Sequence, residues 1–381
     1  MTNIKIVSGL NYGDESKGLV ANFLSTPTSL TIMASNSCQR GHTATNGKIR
    51  KVFRHFGCGT LKGAATYFAK YFYVNPAMFR REYEELIQLG IAPTVYARTG
   101  CTIVTPIDMF ANVNVEMRRG DEAHSSTGVG MWETFCRHKH FQKTGDSECI
   151  DNIIRYYKKV LKDEKGQLPL GVELFLNGPA LKANCIDDWD FMWEHVYWIT
   201  SDEEERELLH SYQNIVFENS QGLLLDDDYN FDYIHNTPAH VGARMPMEII
   251  KANFNDDEVW IDNYYVSRTY LTRHGKGQIG VTENLECDKE EINPDMVDLT
   301  NVPNPNQGTL RYGTFTTREA IAAVERMAAD DKKIGEYQGT RNLVITHTNE
   351  YNDGQLLTAA KRYGGLKKIF ISDNEYDIRE S

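Results

Sequence analysis

The feature that most constrains the fold is a short glycine-containing loop near the N-terminus. The apolar run IKIVSGL (4–10) predicts a buried first strand, NYGDESKG (11–18) predicts a loop, and LVANFLS predicts a helix that begins near Leu19. A strand, a tight loop and a helix in this order bring free backbone N–H groups and the positive end of a helix dipole to one point. The sequence therefore predicts an anion site directly after the first strand.

Strands and helices alternate along the rest of the chain. Helix NPAMFRREYEELIQLG (75–90) has Asn75 as a cap and Pro76 in its first turn. Four runs rich in β-branched or aromatic residues predict further strands: NIVFENSQG (214–222), EVWIDNYYVSRTYL (258–271), NLVITH (342–347) and KKIFIS (367–372). This alternation predicts an α/β fold with a large, mainly parallel central sheet flanked by helices.

The chain shows no internal repeat, low-complexity tract or linker. Its 381 residues are enough for one large core, and we expect a single domain over 1–381 with loop and helical excursions. The segment 293–313, with three prolines and several asparagines, is the most loop-like. It is either a functional lid or a surface excursion.

Composition excludes several classes of protein. A net charge of −12 argues against nonspecific nucleic-acid binding, because phosphate backbones need a basic surface, so we expect no direct DNA binding. No apolar stretch approaches the roughly 20 residues of a membrane-spanning helix, and a signal peptide is not evident. Seven scattered cysteines without a CxxC pair suit a reducing cytoplasm, which is the host cytoplasm if the protein is viral.

The predicted loop carries charges that a simple phosphate loop would not need. GDESKG does not fit the GxxxxGK[ST] pattern. Lys17 supplies the positive charge expected beside a β- or γ-phosphate. Asp14 would repel a phosphate, so it either holds Mg²⁺, accepts a proton, or does both. The alternative is an acidic turn that only caps the following helix.

Two other polar residues stand beside glycines. His42 follows Gly41 in SNSCQRGHTATNGK (35–48) and is either catalytic or structural. Gln221 ends a predicted strand and precedes a leucine run, where its amide either binds a base edge or simply ends the strand.

Together these segments resemble the adenylosuccinate synthetase family. The family motifs W-G-D-E-G-K-G, N-A-G-H-T and G-A-Q-G-T-L-L-D correspond, in the same order, to YGDESKG (12–18), QRGHT (39–43) and NSQGLLLD (219–226). Three weaker matches are SSTGVG (125–130) to T-T-G-R-G-I-G, RTYLTRHGKG (268–277) to S-T-R-V-G-A-G, and QGTLRYG (307–313) to the aspartate-binding loop.

The resemblance implies a ligase that phosphorylates a purine O6 and then lets the amine of L-aspartate displace that phosphate. It implies three catalytic residues. Asp14 would take the proton from purine N1 and touch Mg²⁺, His42 would donate to O6, and Lys17 with the N–H groups of 15–18 would hold the triphosphate.

The resemblance also implies a set of binding residues. The triphosphate site would contain Glu15, Ser16, Lys17, Gly18, Leu19 and Asn349. The acceptor-nucleotide site would contain Asp14, Ser16, Gln39, Thr127, Gln221 and Thr237. L-Aspartate would be bound by Thr309, Arg311 and Arg273, and Mg²⁺ by Asp14 and the Gly41 carbonyl. A homodimer is implied as well, in which Arg137 or Lys139 would complete the partner's acceptor-phosphate site.

Four departures from the family motifs favour altered specificity. Asn349 in ITHTNEY replaces an aspartate that reads guanine, which disfavours GTP as donor. Thr309 replaces an arginine that contacts the acceptor ribose, Ser16 replaces a loop glycine, and QR replaces N-A at 39–40. These features resemble the phage branch of the family, which joins L-aspartate to dGMP with ATP or dATP on the way to diaminopurine DNA.

Within that branch Ser16 is the candidate acceptor for the guanine 2-amino group. Two alternatives stay open. The chain is an ordinary family member acting on IMP with GTP, or it is a non-catalytic nucleotide-binding paralogue.

Overall fold

The structure is a computed structural model of the chain and describes residues 1–228, 235–303, 306–351 and 353–381. The strands within these residues are β1 Thr2–Gly9, β2 Leu30–Ser37, β3 His42–Thr45, β4 Arg50–Phe53, β5 Ala65–Tyr73, β6 Val95–Arg98, β7 Tyr197–Ile199, β8 Asn214–Gly222, β9 Val259–Arg268, β10 Leu271–Arg273, β11 Glu286–Cys287, β12 Arg311–Gly313, β13 Gly339–Thr346, β14 Lys368–Ile371 and β15 Arg379–Glu380. The α-helices are α1 Lys17–Leu24, α2 Pro76–Gln88, α3 Pro106–Arg119, α4 Met131–Thr144, α5 Ile150–Val160, α6 Leu170–Leu176, α7 Leu181–Glu194, α8 Asp202–His210, α9 Arg244–Asn253, α10 Lys289–Ile292, α11 Thr317–Asp331 and α12 Gln355–Tyr363.

A ten-stranded sheet lies at the centre, in the order β15-β14-β13-β9-β1-β8-β2-β5-β6-β7. Its neighbouring strands are parallel, except that β15 runs antiparallel to β14. Alternate residues of a strand point to opposite faces. On β1, Ile4 and Ile6 accordingly pack in the cluster that contains α8 and α9, and Val7 packs in the cluster that contains α1 and α2. The predicted α/β fold is confirmed.

The predicted element boundaries are largely correct. Asn75 caps α2, since its side chain accepts from the Met78 N–H at 3.1 Å. The run 258–271 forms two strands, β9 and β10, instead of one. The first helix begins at Lys17 and not near Leu19, because Ser16 already closes the loop in a left-handed conformation with φ of 68°.

Two smaller sheets and a helical layer surround the central sheet. The hairpin β3–β4 and the sheet β10-β12-β11 lie near the carboxyl ends of β1 and β9. The helices between β6 and β7 have a separate core that includes Ile107, Phe141, Ile153 and Tyr157. Among the described helices, none is both long and apolar enough to cross a membrane.

Candidate active site

One cavity of about 750 Å³ opens at the carboxyl edge of the central sheet. Its walls come from the 11–18 loop after β1, the β3–β4 hairpin, the segment 124–127 and the loop 297–301. The carboxyl edge of a parallel sheet is where α/β proteins place their ligands. The cavity therefore gathers segments that lie far apart in the sequence.

The 11–18 loop has an unusual backbone. Gly13, Asp14 and Ser16 all have positive φ, at 121°, 57° and 68°. Such conformations are costly for residues other than glycine and occur at ligand-binding loops. Gly9, just before the loop, also has no room for a side chain, since a Cβ there would lie 2.5 Å from the Gln221 carbonyl oxygen. The loop is thus held in one shape by its neighbours.

Glu15 is a buried residue of the 11–18 loop. Its Oε1 accepts from the Asn11 N–H at 2.9 Å and from Asn11 Nδ2 at 2.8 Å, and the residue is 2% exposed. Burial raises the pKa of Glu15 to about 7, with Lys17 opposing the shift. The Glu15 carboxylate, which is unexpected in a phosphate-binding loop, therefore stabilises the loop through its hydrogen bonds with Asn11.

Lys17 is 2% exposed at the first position of α1. Among the described residues its Nζ has no hydrogen-bond partner. Burial lowers the pKa of Lys17, and the nearby carboxylates of Glu15, Asp14 and Glu218 oppose that shift. A desolvated ammonium at a helix N-terminus is suited to an anionic ligand.

Asp14 presents its carboxylate to the cavity. The side chain is 29% exposed, and His274 Nε2 lies 3.9 Å from its Oδ2. The backbone carbonyl of Asp14 accepts from Arg268 Nε at 2.6 Å. Asp14 is therefore fixed by its backbone, while its carboxylate oxygens have no hydrogen-bond partner among the described residues and can accept a proton or a cation.

His42 lies in a buried charge network on the other side of the cavity. Its Nδ1 is 2.7 Å from Glu218 Oε1, and Arg40 Nη1 is 2.8 Å from the same oxygen and 3.1 Å from Nδ1. The second oxygen of Glu218 accepts from the Cys58 N–H at 2.8 Å. This arrangement occupies Nδ1 and leaves Nε2 for a ligand.

The charges of this network follow from its burial. Burial lowers the pKa of His42 to about 4, although Glu218 opposes the shift. Burial alone would raise the pKa of Glu218, but Arg40, His42 and the Cys58 N–H bring it down to about 2. At neutral pH the network therefore contains an ionised Arg40–Glu218 pair and a neutral imidazole. The sequence indicated neither Glu218 nor the role of Arg40, although Arg40 stands where the family motif has alanine.

The residues predicted for the acceptor nucleotide share the cavity. Asp14, Ser16, Gln39, Thr127, Gln221 and Thr237 all line it. Gln39 Nε2 lies 2.8 Å from Asn36 Oδ1 and 3.4 Å from Thr237 Oγ1, which joins two of the predicted residues directly. The Ser16 hydroxyl has no hydrogen-bond partner among the described residues.

The predicted triphosphate residues also line the cavity, namely Glu15, Ser16, Lys17, Gly18, Leu19 and Asn349. Asn349 shares its end of the cavity with His347, which has φ of 60°, and with the Arg50–Glu375 ion pair at 2.9 Å. The Gly41 backbone, predicted as a metal ligand, lines the cavity as well.

Of the three residues predicted to bind L-aspartate, the structure places Arg273 alone on the cavity wall. Its guanidinium lies 4.6 Å from the Tyr12 ring centroid and donates to the Gln278 carbonyl at 2.7 Å. Thr309 is exposed outside the cavity. Arg311 is also outside, because it pairs with Glu286 and donates to the Gly275 and Gly277 carbonyls at 2.7 and 2.9 Å.

Arg137 is buried within its own chain. The residue is 1% exposed, its Nε is 2.8 Å from Asp108 Oδ1, and it also pairs with Glu148. Arg137 therefore holds the helical layer together. Lys139 is exposed, with its Nζ 4.2 Å from the Phe135 ring centroid.

A second network, not indicated by the sequence, ties the loop 297–301 to the site. Asp298 Oδ2 lies 3.1 Å from Arg268 Nη2, and Oδ1 accepts from the backbone of Thr300 and Asn301 at 2.9 Å each. Burial opposes ionisation of Asp298, but Arg268 and these hydrogen bonds hold its pKa below the ordinary value. Since Arg268 also donates to the Asp14 carbonyl, Arg268 holds both the loop 297–301 and Asp14 in place.

Comparison with known proteins identifies relatives over most of the chain. The family model described as adenylosuccinate synthetase matches residues 6–300. The adenylosuccinate synthetase of Thermoplasma volcanium is 24% identical over 307 residues, which cover 75% of this chain and 65% of that enzyme. The chain thus spans slightly less than two thirds of the length of this relative.

Two solved structures are similar in fold. Cyanophage S-2L succinoaminodeoxyadenylate synthetase (PurZ), bound to dGMP and to dATP as an energy donor, has a TM-score of 0.65 at 15% identity and covers 100% of this chain and 95% of its own. Fully ligated adenylosuccinate synthetase from Plasmodium falciparum has a TM-score of 0.60 at 13% identity. The match covers 90% of this chain and 76% of that enzyme.

Proposed function

The chain belongs to the adenylosuccinate synthetase family, whose model matches well over half of it, and on this premise we propose that it is a ligase that joins L-aspartate to dGMP. The phosphate donor is ATP or dATP, and the product is N6-succino-2-amino-2′-deoxyadenylate, a precursor of diaminopurine DNA. The observation that carries the proposal is that Asp14, Lys17 and the His42–Glu218 pair face one cavity. This chemistry needs a solvent-accessible carboxylate, an ammonium that has no hydrogen-bond partner among the described residues, and an imidazole held by a hydrogen bond.

The reaction has two steps. Asp14 takes the proton from guanine N1, and O6 attacks the γ-phosphorus of the donor, so that the bond to the β-phosphate oxygen breaks and a 6-phosphoryl nucleotide forms. The amine of L-aspartate then attacks C6, loses a proton, and displaces inorganic phosphate. Lys17 and the N–H groups of the loop hold the transferred phosphoryl group.

His42 acts on the oxygen of the acceptor base. With Nδ1 held by Glu218, its Nε2 is the nitrogen available to O6. Because a neutral ring keeps its proton on Nδ1 beside Glu218, donation from Nε2 to O6 requires the imidazolium. Glu218 opposes the lowering of the His42 pKa, and an anionic ligand would raise that pKa further. Arg273 is the residue of the predicted aspartate set that lines the cavity, and its fork suits a carboxylate.

The donor set fits Mg²⁺. Asp14 offers a carboxylate without a close partner among the described residues, and Gly41 offers a backbone carbonyl on the same cavity, which are the hard oxygen ligands that Mg²⁺ prefers. When bound, the ion supplies positive charge to the donor phosphates.

The choice of dGMP and of an adenine donor rests on departures from the family motifs. Asn349 has one acceptor oxygen where a carboxylate would pair with both guanine N–H groups of GTP, so an adenine donor is favoured. The Ser16 hydroxyl is free to accept from the guanine 2-amino group. The cyanophage enzyme that matches the whole chain in fold is the one bound to dGMP and dATP. We further propose one domain over 1–381 and a homodimer, in which Lys139 remains the candidate for contact with the partner.

A phosphate-release matrix tests this function. IMP, GMP and dGMP are each combined with GTP, ATP and dATP in the presence of L-aspartate and Mg²⁺. We expect release with dGMP together with ATP or dATP, and no release when L-aspartate or Mg²⁺ is omitted.

Two results would contradict the proposal. Activity confined to IMP with GTP would identify an ordinary adenylosuccinate synthetase. Nucleotide binding without phosphate release in any combination would identify a non-catalytic paralogue.

Replacement of Ser16 by glycine tests the contact to the 2-amino group. Glycine adopts the φ of 68° at this position without strain, so Ser16→Gly removes the hydroxyl and leaves the loop intact. Loss of one partner of a buried amine costs about 1–3 kcal/mol, so we expect the ratio of dGMP to IMP turnover to fall by roughly five- to 150-fold. An unchanged ratio would show that Ser16 does not contribute to the choice between dGMP and IMP.

A further inference from the structure

One surface of the molecule combines aromatic side chains with a concentration of negative charge. Residues 186–207 contain three of the five tryptophans of the chain. The same segment contains nine acidic residues and one arginine, so its net charge is −8, against −12 for the whole chain. These residues lie outside the wall of the cavity. Most of the negative charge of the protein is therefore collected at a place that the proposed chemistry does not use.

The three tryptophans form one cluster, the tryptophan surface, made of Trp189, Trp193 and Trp198. The first two lie on α7, and Trp198 lies on β7. The Trp193 and Trp198 rings are stacked with centroids 4.7 Å apart, and Trp189 lies 5.6 Å from Trp198 and 5.9 Å from Trp193. Trp198 Nε1 also donates to the Trp193 carbonyl at 3.1 Å. The rings are thus held in one arrangement, which lowers the entropy that a partner must remove on binding.

The tryptophan surface is open to solvent. Trp193 is 50% exposed, and Ile186, about one turn before Trp189 on α7, is 43% exposed. β7 is the last strand in the order of the central sheet, and its Tyr197 is 65% exposed. Soluble monomers rarely expose several large apolar side chains side by side. Tryptophan is enriched among the residues that contribute most to protein–protein binding, so these side chains indicate a binding surface.

Exposed carboxylates flank the tryptophan surface. Asp190 and Glu194 directly follow two of the tryptophans on α7, and neither forms an ion pair with another described residue. The first turn of α8, three residues after β7, contains Asp202, Glu203, Glu204 and Glu205. A second copy of the chain on this surface would bring like charges together, and a nucleic acid would be repelled in the same way. The surface is complementary in charge to a basic partner.

We propose that the tryptophan surface binds a basic segment of another protein. Lysine or arginine side chains of that segment lie on the tryptophan faces, and the flanking carboxylates of Asp190 and Glu194 pair with the same cations. Tryptophan is the aromatic side chain that attracts a cation most strongly, and the attraction grows as the cation is desolvated. Since the surface lies outside the cavity wall, its occupation leaves the cavity open to nucleotides.

A basic peptide tests the proposal. The probe is a dye-labelled octapeptide of alternating lysine and arginine with blocked termini, and its binding is followed by fluorescence anisotropy. We expect the wild type to bind it at low ionic strength, to release it as salt is added, and to bind an octapeptide of serine and glutamine at least about tenfold more weakly. Trp193→Ala removes one ring face and Glu194→Lys reverses one flanking charge. Each should weaken binding of the basic peptide by about fivefold.

Two control variants change the same kinds of group at the other half of the sheet. Tyr363→Ala removes an exposed aromatic ring from α12, and Glu325→Lys reverses an exposed charge on α11. Both helices pack beside β13, whereas β7 ends the sheet on the opposite side. Both controls should bind the basic peptide with wild-type affinity.

Circular dichroism and urea denaturation check that each variant is folded, and the exposed substitution Glu194→Lys decides if Trp193→Ala does not fold. Absence of binding to the wild type, or equal binding by the wild type and both surface variants, would overturn the proposal. Self-association seen by sedimentation in the wild type and abolished by Trp193→Ala would overturn it too, because the surface would then be a contact between two copies of the chain.

Discussion

Asp14→Asn is expected to lower the rate of phosphate release by about 10²–10⁴-fold, which is the usual contribution of a positioned general base. The amide cannot take the proton from guanine N1, so O6 stays a weak nucleophile. Asparagine tolerates the left-handed φ of 57° at this position as well as aspartate does, so the loop should keep its shape. The measurement is phosphate release at saturating dGMP, ATP and L-aspartate, together with ATP affinity.

A control variant tests whether the loss of one negative charge, wherever it lies on the protein, lowers the rate. Asp257→Asn removes a carboxylate from the exposed turn Asp256–Glu258, outside the cavity, and should leave both rate and affinity at wild-type values. An Asp14→Asn enzyme that retains more than about a tenth of the wild-type rate would contradict the role of Asp14 as base.

The central sheet was predictable because its signal is local. Each predicted strand is a short apolar or β-branched run between helices, and in a doubly covered sheet such runs are buried on both faces. The alternation of strands and helices gave the parallel topology, as the pairing of β1 with β8 and β9 confirms. The start of α1 was predicted two residues late because a left-handed serine is not expected from propensity.

The networks that brace the site were not predictable from spacing. His42 and Glu218 are 176 positions apart, and Arg268 and Asp298 lie on different elements. Nothing in a single sequence links such residues, since their contact depends on the sheet order. The sequence shows that Arg40 departs from the family motif, but it does not indicate that Glu218 is the partner of Arg40.

Two arginines have partners in the structure that their local motifs did not indicate. Arg311 matches the aspartate loop in sequence, yet β12 pairs with β11, and the neighbouring Glu286 captures its guanidinium. Arg137 matches a region expected to reach a second subunit, yet Asp108 draws it into the helical core. A side chain with several donors binds a carboxylate that the fold brings close to it. That carboxylate is buried for Arg137 and exposed for Arg311, and the sequence does not say which one it is.

Arg40→Ala is expected to destabilise the protein by about 3–5 kcal/mol at pH 7, because it leaves the Glu218 carboxylate buried without its cation. Both side chains are fully buried, and the Arg40–Glu218 distance is 2.8 Å. Arg40 also donates to the carbonyls of Arg54, His55 and Phe56, so its loss leaves these acceptors unpaired as well. Urea denaturation measures the change in the free energy of unfolding.

The pH dependence of stability distinguishes two causes of the loss in Arg40→Ala: the unpaired charge of Glu218 and the lost packing of the arginine side chain. In the wild type the Glu218 pKa of about 2 is below its ordinary 4.5, so the ion pair contributes fully above pH 4.5 and its contribution fades as the pH falls toward 2. Without Arg40, burial raises the pKa of Glu218, and protonation in acid then relieves the unpaired charge. The deficit of Arg40→Ala should therefore shrink between pH 7 and pH 4, and Glu218→Gln added to Arg40→Ala should recover part of it at pH 7. A deficit that is the same at both pH values, with no recovery in the double variant, would show that Arg40 stabilises the fold by packing alone.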